Sequence, residues 1–123
     1  GLGDQLAYMP ARRFRPVRHI GVDDLGATLA KVTDSAPLIL LAHEPDISSR
    51  VPPRVALQLS GHTHGGQVRL LGWSPAVSPK NGLRLAYGHF RLKCDLIVSG
   101  GLGCSIAPVR FGVPPEIVVI DLG

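Results

Sequence analysis

Two short apolar runs dominate the pattern of hydrophobic and polar positions along the chain. The first, LILLAH (Leu38–His43), ends in a histidine, and the second, VALQLS (Val55–Ser60), ends just before a glycine. Continuous apolar runs of this length are typical of strands buried on both faces, as in parallel sheets. Between them, three prolines interrupt Glu44–Arg54, which predicts a loop or a short helix. We therefore predict two buried, neighbouring strands.

The rest of the pattern predicts one helix and several shorter strands. In Gly21–Val32, apolar residues recur at helical spacing, and Asp23 is placed to cap the amino end. Residues 1–20 have little periodicity and predict an irregular lead-in. Further strands are predicted at 67–71, 83–90, 95–100 and 116–122, with glycine- and proline-rich loops between them.

Many strands with one clear helix predict an α/β layered fold. The chain has 123 residues and no internal repeat, so we expect a single domain over residues 1–123. Because it begins with Gly1 and contains few helices, we expect a partial domain that lacks its N-terminal half.

Charge and composition narrow the function only a little. The chain has 13 basic and 9 acidic residues, a net charge of +4, and most of the basic residues are arginine. Arginine suits phosphate groups, although a solvated basic surface explains the balance equally well. The cluster ARRFRPVR (Ala11–Arg18) has one aromatic residue and is a poor nucleic-acid signature, so no nucleic-acid partner is expected. Cys94 and Cys104 lack the number and spacing of a zinc ribbon. They could form a disulfide in an oxidising compartment, but two free, buried thiols in a reducing compartment are the favoured interpretation.

The candidate chemistry lies in SGHTHGGQ (Ser60–Gln67), directly after the second buried run. His62 and His64 are two residues apart and would point the same way on an extended chain. His43 ends the neighbouring run, and ligand crevices of α/β sheets lie beyond the carboxyl ends of parallel strands. Since imidazole is a common metal ligand, His43, His62 and His64 are predicted to form a metal site.

The five histidines of the chain do not all carry the same signal. A single histidine at a strand end is usually a hydrogen-bonded loop residue, and His19 and His89 are interpreted in that way. An isolated His-x-His pair is weak evidence, because such pairs occur by chance in surface loops. The surrounding glycines and the third histidine, His43, together favour a metal site.

ILLAHEPD and SGHTHGGQ resemble the C-terminal half of the calcineurin-like metallophosphoesterase superfamily, in particular a bacterial branch of phosphohydrolases. The ending GGLGCSIAPVRFGVPPEIVVIDL is similar to the same branch. The resemblance covers Leu38–Leu122, about two thirds of the chain. It implies a layered β-sandwich of mixed sheets flanked by helices, of which this chain is the C-terminal part.

The resemblance also implies site residues and cofactors. His43 and His62 match two ligands of one metal ion, and His64 matches a ligand of the other. The intact family uses two divalent transition-metal ions, and manganese, iron and zinc all remain open. The family's Asp-x-His, Gly-Asp-x-x-Asp and Gly-Asn-His motifs are absent here. The remaining ligands and the general acid are therefore expected upstream.

The function expected from the sequence is metal-dependent hydrolysis of a phosphomonoester, phosphodiester or pyrophosphate by the intact parent protein. This chain alone is expected to be inactive; the alternative is a non-catalytic module that retains at most one histidine-bound metal. Arg110 is a candidate contact for substrate, and a structural role for it is at least equally favoured. The expected partners are a phosphorylated small molecule or a lipid-linked substrate and the missing half of the domain. Peripheral membrane association stays open, as does the choice between a cytoplasmic and a membrane-associated bacterial location.

Overall fold

The computed structural model describes residues 2–3, 23–71, 73–74 and 83–123, and these residues form one mixed four-stranded sheet. Its strands are β1 (Leu38–Leu41), β2 (Val55–Ser60), β3 (Gly88–Arg91) and β4 (Asp95–Val98). The order across the sheet is β1-β2-β4-β3. β2 runs parallel to both β1 and β4, whereas β3 runs antiparallel to β4. The predicted α/β character, the mixed sheet and the parallel pairing of the two apolar runs are confirmed.

Short helices connect the strands. The single α-helix described is α1 (Leu25–Ala30), and three 3-10 helices follow at Pro45–Arg50, His64–Gly66 and Leu83–Leu85. The cap of α1 is Asp24, whose Oδ1 accepts a hydrogen bond from the amide of Ala27 at 2.8 Å. The prediction of Asp23 as the cap is wrong by one residue, because the Asp23 carboxylate pairs with Arg50 at 3.0 Å. Among the described helices, none has the length and apolar character needed to cross a membrane.

One face of the sheet is covered. Leu40, Gln58 and Leu96 lie in register across β1, β2 and β4, and all three are buried. The 3-10 helix Pro45–Arg50 contacts both β2 and β4 and contributes the buried side chain of Ile47. The resulting apolar cluster consists of Leu40, Ala42, Ile47, Val51, Val55 and Cys94.

Both cysteines are free, as predicted, but the prediction that both are buried is wrong for Cys104, which lies in the glycine-rich loop after β4. Cys94 is buried in the apolar cluster, and Cys104 is exposed. Burial raises the pKa of the Cys94 thiol, because the thiolate would lose its hydration there. Cys94 therefore behaves as a small apolar core residue.

The other face of the sheet is largely open within the described residues. Leu41, Leu59 and Ile97 form a row across β1, β2 and β4, and Leu41 is 55% exposed. The prediction that the first apolar run is buried on both faces is therefore wrong for β1. The physical reason is that no helix or strand of the described residues covers the side chain of Leu41 on this face.

Two predicted strands do not form among the described residues. At 67–71 the backbone makes only isolated bridges, Val68 with Phe111 and Leu70 with Trp73. At 116–122 no strand is present, and Ile117 and Val119 are strongly exposed. Alternating apolar residues favour a strand only when another strand is available to accept and donate the ladder hydrogen bonds.

The boundaries of other predicted elements also differ. Residues 83–90 divide into a 3-10 helix and the start of β3, because Gly88, with φ of 110°, breaks the extended path that one strand would need. The prediction at 95–100 is confirmed as β4, which ends two residues earlier. The predicted irregular lead-in, its basic cluster and His19 lie outside the described residues, apart from residues 2–3.

We expect the isolated 123-residue chain to be poorly soluble, because apolar side chains of the open face and of the C-terminal segment meet water. Ile117 is 77% exposed and Val119 is 89% exposed. Large exposed apolar surface and unpaired strand edges promote association. Replacing both residues by threonine should raise the soluble fraction, measured by centrifugation and light scattering.

The matched control is a double change to threonine at Ser35 and Ser49, two exposed polar residues whose replacement removes no exposed apolar surface. This control should leave the soluble fraction unchanged. A monomeric, sharply and reversibly melting wild-type chain would contradict the prediction.

Candidate metal centre

The backbone places two histidine-bearing segments side by side. Beyond β1, the amide of Ala42 donates to the carbonyl of Leu59 at 3.1 Å, and the amide of Gly61 donates to the carbonyl of His43 at 3.0 Å. The parallel pairing of β1 and β2 thus continues past both strands. Since parallel strands end at the same edge of a sheet, His43 and the turn after β2 emerge together.

The side chains of His43 and His62 are in contact. Their ring centroids are 5.0 Å apart, and the rings are nearly perpendicular at 80°. Both residues are exposed. Two neutral imidazoles at this separation are suited to share a divalent ion, which binds imidazole nitrogen at about 2.0–2.1 Å.

The turn itself is not extended, contrary to the prediction. His62 has a φ of 66° and His64 a φ of 50°, both in the left-handed region. Backbone of this kind costs on the order of 1–3 kcal/mol per residue and is concentrated at functional sites. A Cβ on Gly65 would lie 2.6 Å from Cγ1 of Val113, so a side chain has no room there.

His64 has a contact of its own, outside the pair His43 and His62. Its Nδ1 lies 3.0 Å from the carbonyl oxygen of Gly103, in the loop after β4. His62, in contrast, packs against His43. In the described part of the chain, no three His, Cys, Asp or Glu residues are grouped so that they could hold a metal ion. What the structure brings together is the pair His43 and His62.

Two polar side chains of the turn fix its position. The hydroxyl of Thr63 donates to the carbonyl of Ala86 at 2.6 Å. The side-chain Nε2 of Gln67 donates to the backbone carbonyls of Ser105 and Ala107 at 3.0 and 2.9 Å. Its side-chain Oε1 accepts from the backbone amide of Ser105 at 2.6 Å. The histidine turn is thereby tied both to the segment before β3 and to the loop after β4.

Arg110 contacts backbone in this same loop. Its Nε donates to the carbonyl of Gly103 at 2.9 Å, and one terminal nitrogen donates to the carbonyls of Gly100 and Gly103, each at 2.5 Å. The other terminal nitrogen is buried and has no acceptor among the described residues. These contacts agree with the structural role that the sequence left open for Arg110.

The carboxylate of Glu116 holds the start of the loop after β4 through hydrogen bonds. Glu116 accepts hydrogen bonds from the hydroxyl of Tyr87 at 2.6 Å, from the amide of Gly100 at 2.9 Å and from the hydroxyl of Ser99 at 3.2 Å. The Tyr87 hydrogen bond is the largest cause that lowers the pKa of Glu116, and the Gly100 amide, the Ser99 hydroxyl and Arg110 lower it further. The same hydrogen bond raises the pKa of Tyr87.

Sequence reasoning did not find Gln67, Tyr87 and Glu116 as supports of the site. Gln67 and Tyr87 were assigned to predicted strands, and nothing in their local pattern shows which backbone groups they reach. For Glu116 the sequence does contain a clue to a structural role, because it stands in the Pro-Pro-Glu-Ile stretch that the family resemblance includes. A charged residue between prolines and an apolar run is a reasonable candidate for a buried polar contact.

A separate pocket lies at the other end of β4. It has a volume of about 420 Å³ and is lined by Ser48, Ser49, Arg84, Leu85, Leu92 and Lys93. Lys93 precedes β4, whereas the histidine turn neighbours the carboxyl end of that strand. This pocket contains none of the three histidines and is distinct from the candidate metal centre.

The chain is similar to several metallophosphoesterases. It is 39% identical to the uncharacterized metallophosphoesterase YkuE of Bacillus subtilis (strain 168) over 105 residues. This aligned region covers 84% of this chain and 37% of YkuE. An uncharacterized metallophosphoesterase of Aquifex aeolicus (strain VF5) is 34% identical over 98 residues, covering 76% of this chain and 36% of that protein. An uncharacterized metallophosphoesterase from Helicobacter pylori (strain ATCC 700392 / 26695) is 37% identical over 105 residues, covering 80% of this chain and 27% of that protein.

These similarities establish the class of protein. The chain belongs to the metallophosphoesterases, and the family prediction made from its histidine motif is confirmed. The chain spans well under half the length of these relatives. No protein-family model matches it, and no solved structure matches it.

We expect Tyr87→Phe to lower the free energy of unfolding of the full-length protein by about 1–2 kcal/mol at pH 7, because Glu116 would lose a charge-assisted hydrogen bond. The folded protein lowers the pKa of Glu116 below its ordinary value of 4.5. The stabilisation is therefore complete above that value and is lost as the pH falls through the lowered pKa. Urea denaturation from pH 7 to about pH 3 measures both effects.

Ser49→Ala is the matched control, since it also removes one hydroxyl but lies in the 3-10 helix Pro45–Arg50. It should change stability by only a few tenths of a kcal/mol, at every pH. A Tyr87→Phe variant with the wild-type pH profile would refute the proposed contribution of Glu116.

Proposed function

We infer that this chain is part of a metal-dependent phosphoester hydrolase and that His43, His62 and His64 are ligands in its dinuclear metal site. The observation on which the inference depends is the contact between His43 and His62 at the shared edge of β1 and β2. The family membership of the chain supplies the reaction class. In this proposal, His43 and His62 bind one ion and His64 binds the other.

The donor set suits that chemistry. Imidazole is a neutral ligand, so histidines hold a cation without cancelling the positive charge that a phosphate substrate needs. When bound, two divalent ions orient the phosphoryl group, neutralise its charge and lower the pKa of the attacking water. Manganese, iron and zinc all accept nitrogen and oxygen ligands, so the donor set leaves the choice among these metals open.

The histidines of this chain make an incomplete site in this proposal. The described residues contain no group of three metal-binding side chains. Further ligands and the general acid would come from an upstream segment of the full-length protein. The exposed side chain of Leu41, next to the half-buried Leu59 and Ile97, supports this, because an apolar sheet face needs a covering layer. In that arrangement the upstream segment completes a layered β-sandwich.

The substrate in this proposal carries a phosphomonoester, phosphodiester or pyrophosphate group, on a small molecule or on a lipid-linked compound. All of these share the phosphoryl centre that a dinuclear site recognises. A lipid-linked substrate would bring the protein to a membrane surface.

Metal content tests this proposal. Elemental analysis after dialysis should find about two transition-metal ions in the full-length protein and one or fewer in the 123-residue chain. His62→Ala should lower the metal content of the full-length protein, and should lower hydrolysis of bis(p-nitrophenyl) phosphate by about 100-fold or more, because a direct ligand is removed.

His89→Ala is the matched control. His89 is also an exposed histidine, but it lies on β3 and contacts Asp95 at 2.7 Å. This variant should retain full metal content and activity. Absence of metal from the full-length protein, with His62→Ala indistinguishable from wild type, would refute the enzymatic proposal and favour a non-catalytic module.

A further inference from the structure

The carbonyl of Gly103 is shared by His64 and Arg110. It lies 3.0 Å from Nδ1 of His64 and 2.9 Å from Nε of Arg110. A carbonyl oxygen can only accept hydrogen bonds, so Nδ1 of His64 must carry the hydrogen in this contact. Neutral His64 then has its lone pair on Nε2, which is the nitrogen left free to bind a metal ion.

Regular secondary structure does not hold that carbonyl in place. Gly103 lies in the loop after β4 with Gly100 and Gly101, and Gly101 has a φ of 62°. Glycines permit many backbone conformations, so the direction of the Gly103 carbonyl depends on other contacts. Arg110 provides them, because its guanidinium bridges the carbonyls of Gly100 and Gly103.

The geometry of Arg110 also separates this role from direct substrate binding. Its two donating nitrogens are occupied by backbone carbonyls, and its third nitrogen is buried. The planar fork of arginine matches two fixed acceptors, whereas lysine offers a single point charge. The guanidinium thus links the carbonyls of Gly100 and Gly103 across the loop.

We propose that Arg110 is a positioning residue: it fixes the carbonyl of Gly103, which holds His64 in the Nδ1–H tautomer and presents Nε2 to a metal ion. The tautomer follows from the described contacts alone, whereas the identification of the bound ion rests on the proposed function.

The tautomer can be measured without metal or substrate. Long-range ¹H–¹⁵N NMR correlations of the metal-free full-length protein show which ring nitrogen carries the hydrogen, and a His64→Gln variant identifies the His64 signals. We expect the Nδ1–H form in the wild type and a mixture with the Nε2–H form in Arg110→Met. The dissociation constant for Mn²⁺, measured in metal-buffered titrations, should rise by about 10-fold or more in Arg110→Met.

Two further variants make the test specific. Arg110→Lys keeps the charge but cannot bridge both carbonyls, so it should resemble Arg110→Met; it also serves if Arg110→Met fails to fold. Arg91→Met removes an exposed arginine from β3 and should resemble the wild type. An unchanged His64 tautomer in folded Arg110→Met or Arg110→Lys overturns the proposal.

The outcomes distinguish this inference from the proposed function. If Arg110→Met changes the tautomer but the wild type binds no metal, the positioning role stands and the enzymatic proposal fails. If the wild type binds metal but neither Arg110 variant changes the tautomer, the positioning role alone fails.

Discussion

The parallel pairing of β1 with β2 is the constraint on which the candidate metal centre depends. The pairing continues one step past the strands, through the hydrogen bond from the amide of Gly61 to the carbonyl of His43. That bond sets the separation of the two backbones from which His43 and His62 project. A shift in register by one residue would reverse the direction of the side chains on one strand and separate the rings. The apolar residues of β1 and β2 hold this register, because Leu40 must lie on the covered face.

A second set of contacts holds the irregular part of the site. The turn after β2 and the loop after β4 contain many glycines, which allow positive φ and close approach but specify no single conformation. Polar side chains supply the missing specificity: Gln67 and Arg110 each bind two or more backbone groups, and Glu116 binds the amide of Gly100 together with the hydroxyls of Tyr87 and Ser99. The strained backbone at His62 and His64 is thus supported by its surroundings, as strain at functional sites requires.

The uneven covering of the sheet relates the fold to the proposed function. The 3-10 helix Pro45–Arg50 covers the sheet face that carries Leu40. On the opposite face, the side chain of Leu41 is exposed among the described residues. The same chain presents two paired imidazoles without a third metal-binding group beside them. In the proposed function, one further layer of the domain would cover the exposed apolar side chains and supply the remaining ligands.

The sequence by itself determined the family, the two apolar strands and the neighbouring positions of His43 and the histidine turn. Each of these follows from local information: an apolar run, its length and the residue at its end. Tertiary structure decided that Leu41 is exposed and that 116–122 forms no strand in the described residues. It decided as well that His62 contacts His43, whereas His64 contacts the carbonyl of Gly103. It also decided that the guanidinium of Arg110 donates hydrogen bonds to the carbonyls of Gly100 and Gly103. The physical reason is that exposure, strand pairing and long-range hydrogen bonds depend on partners far away in the chain, which no local pattern specifies.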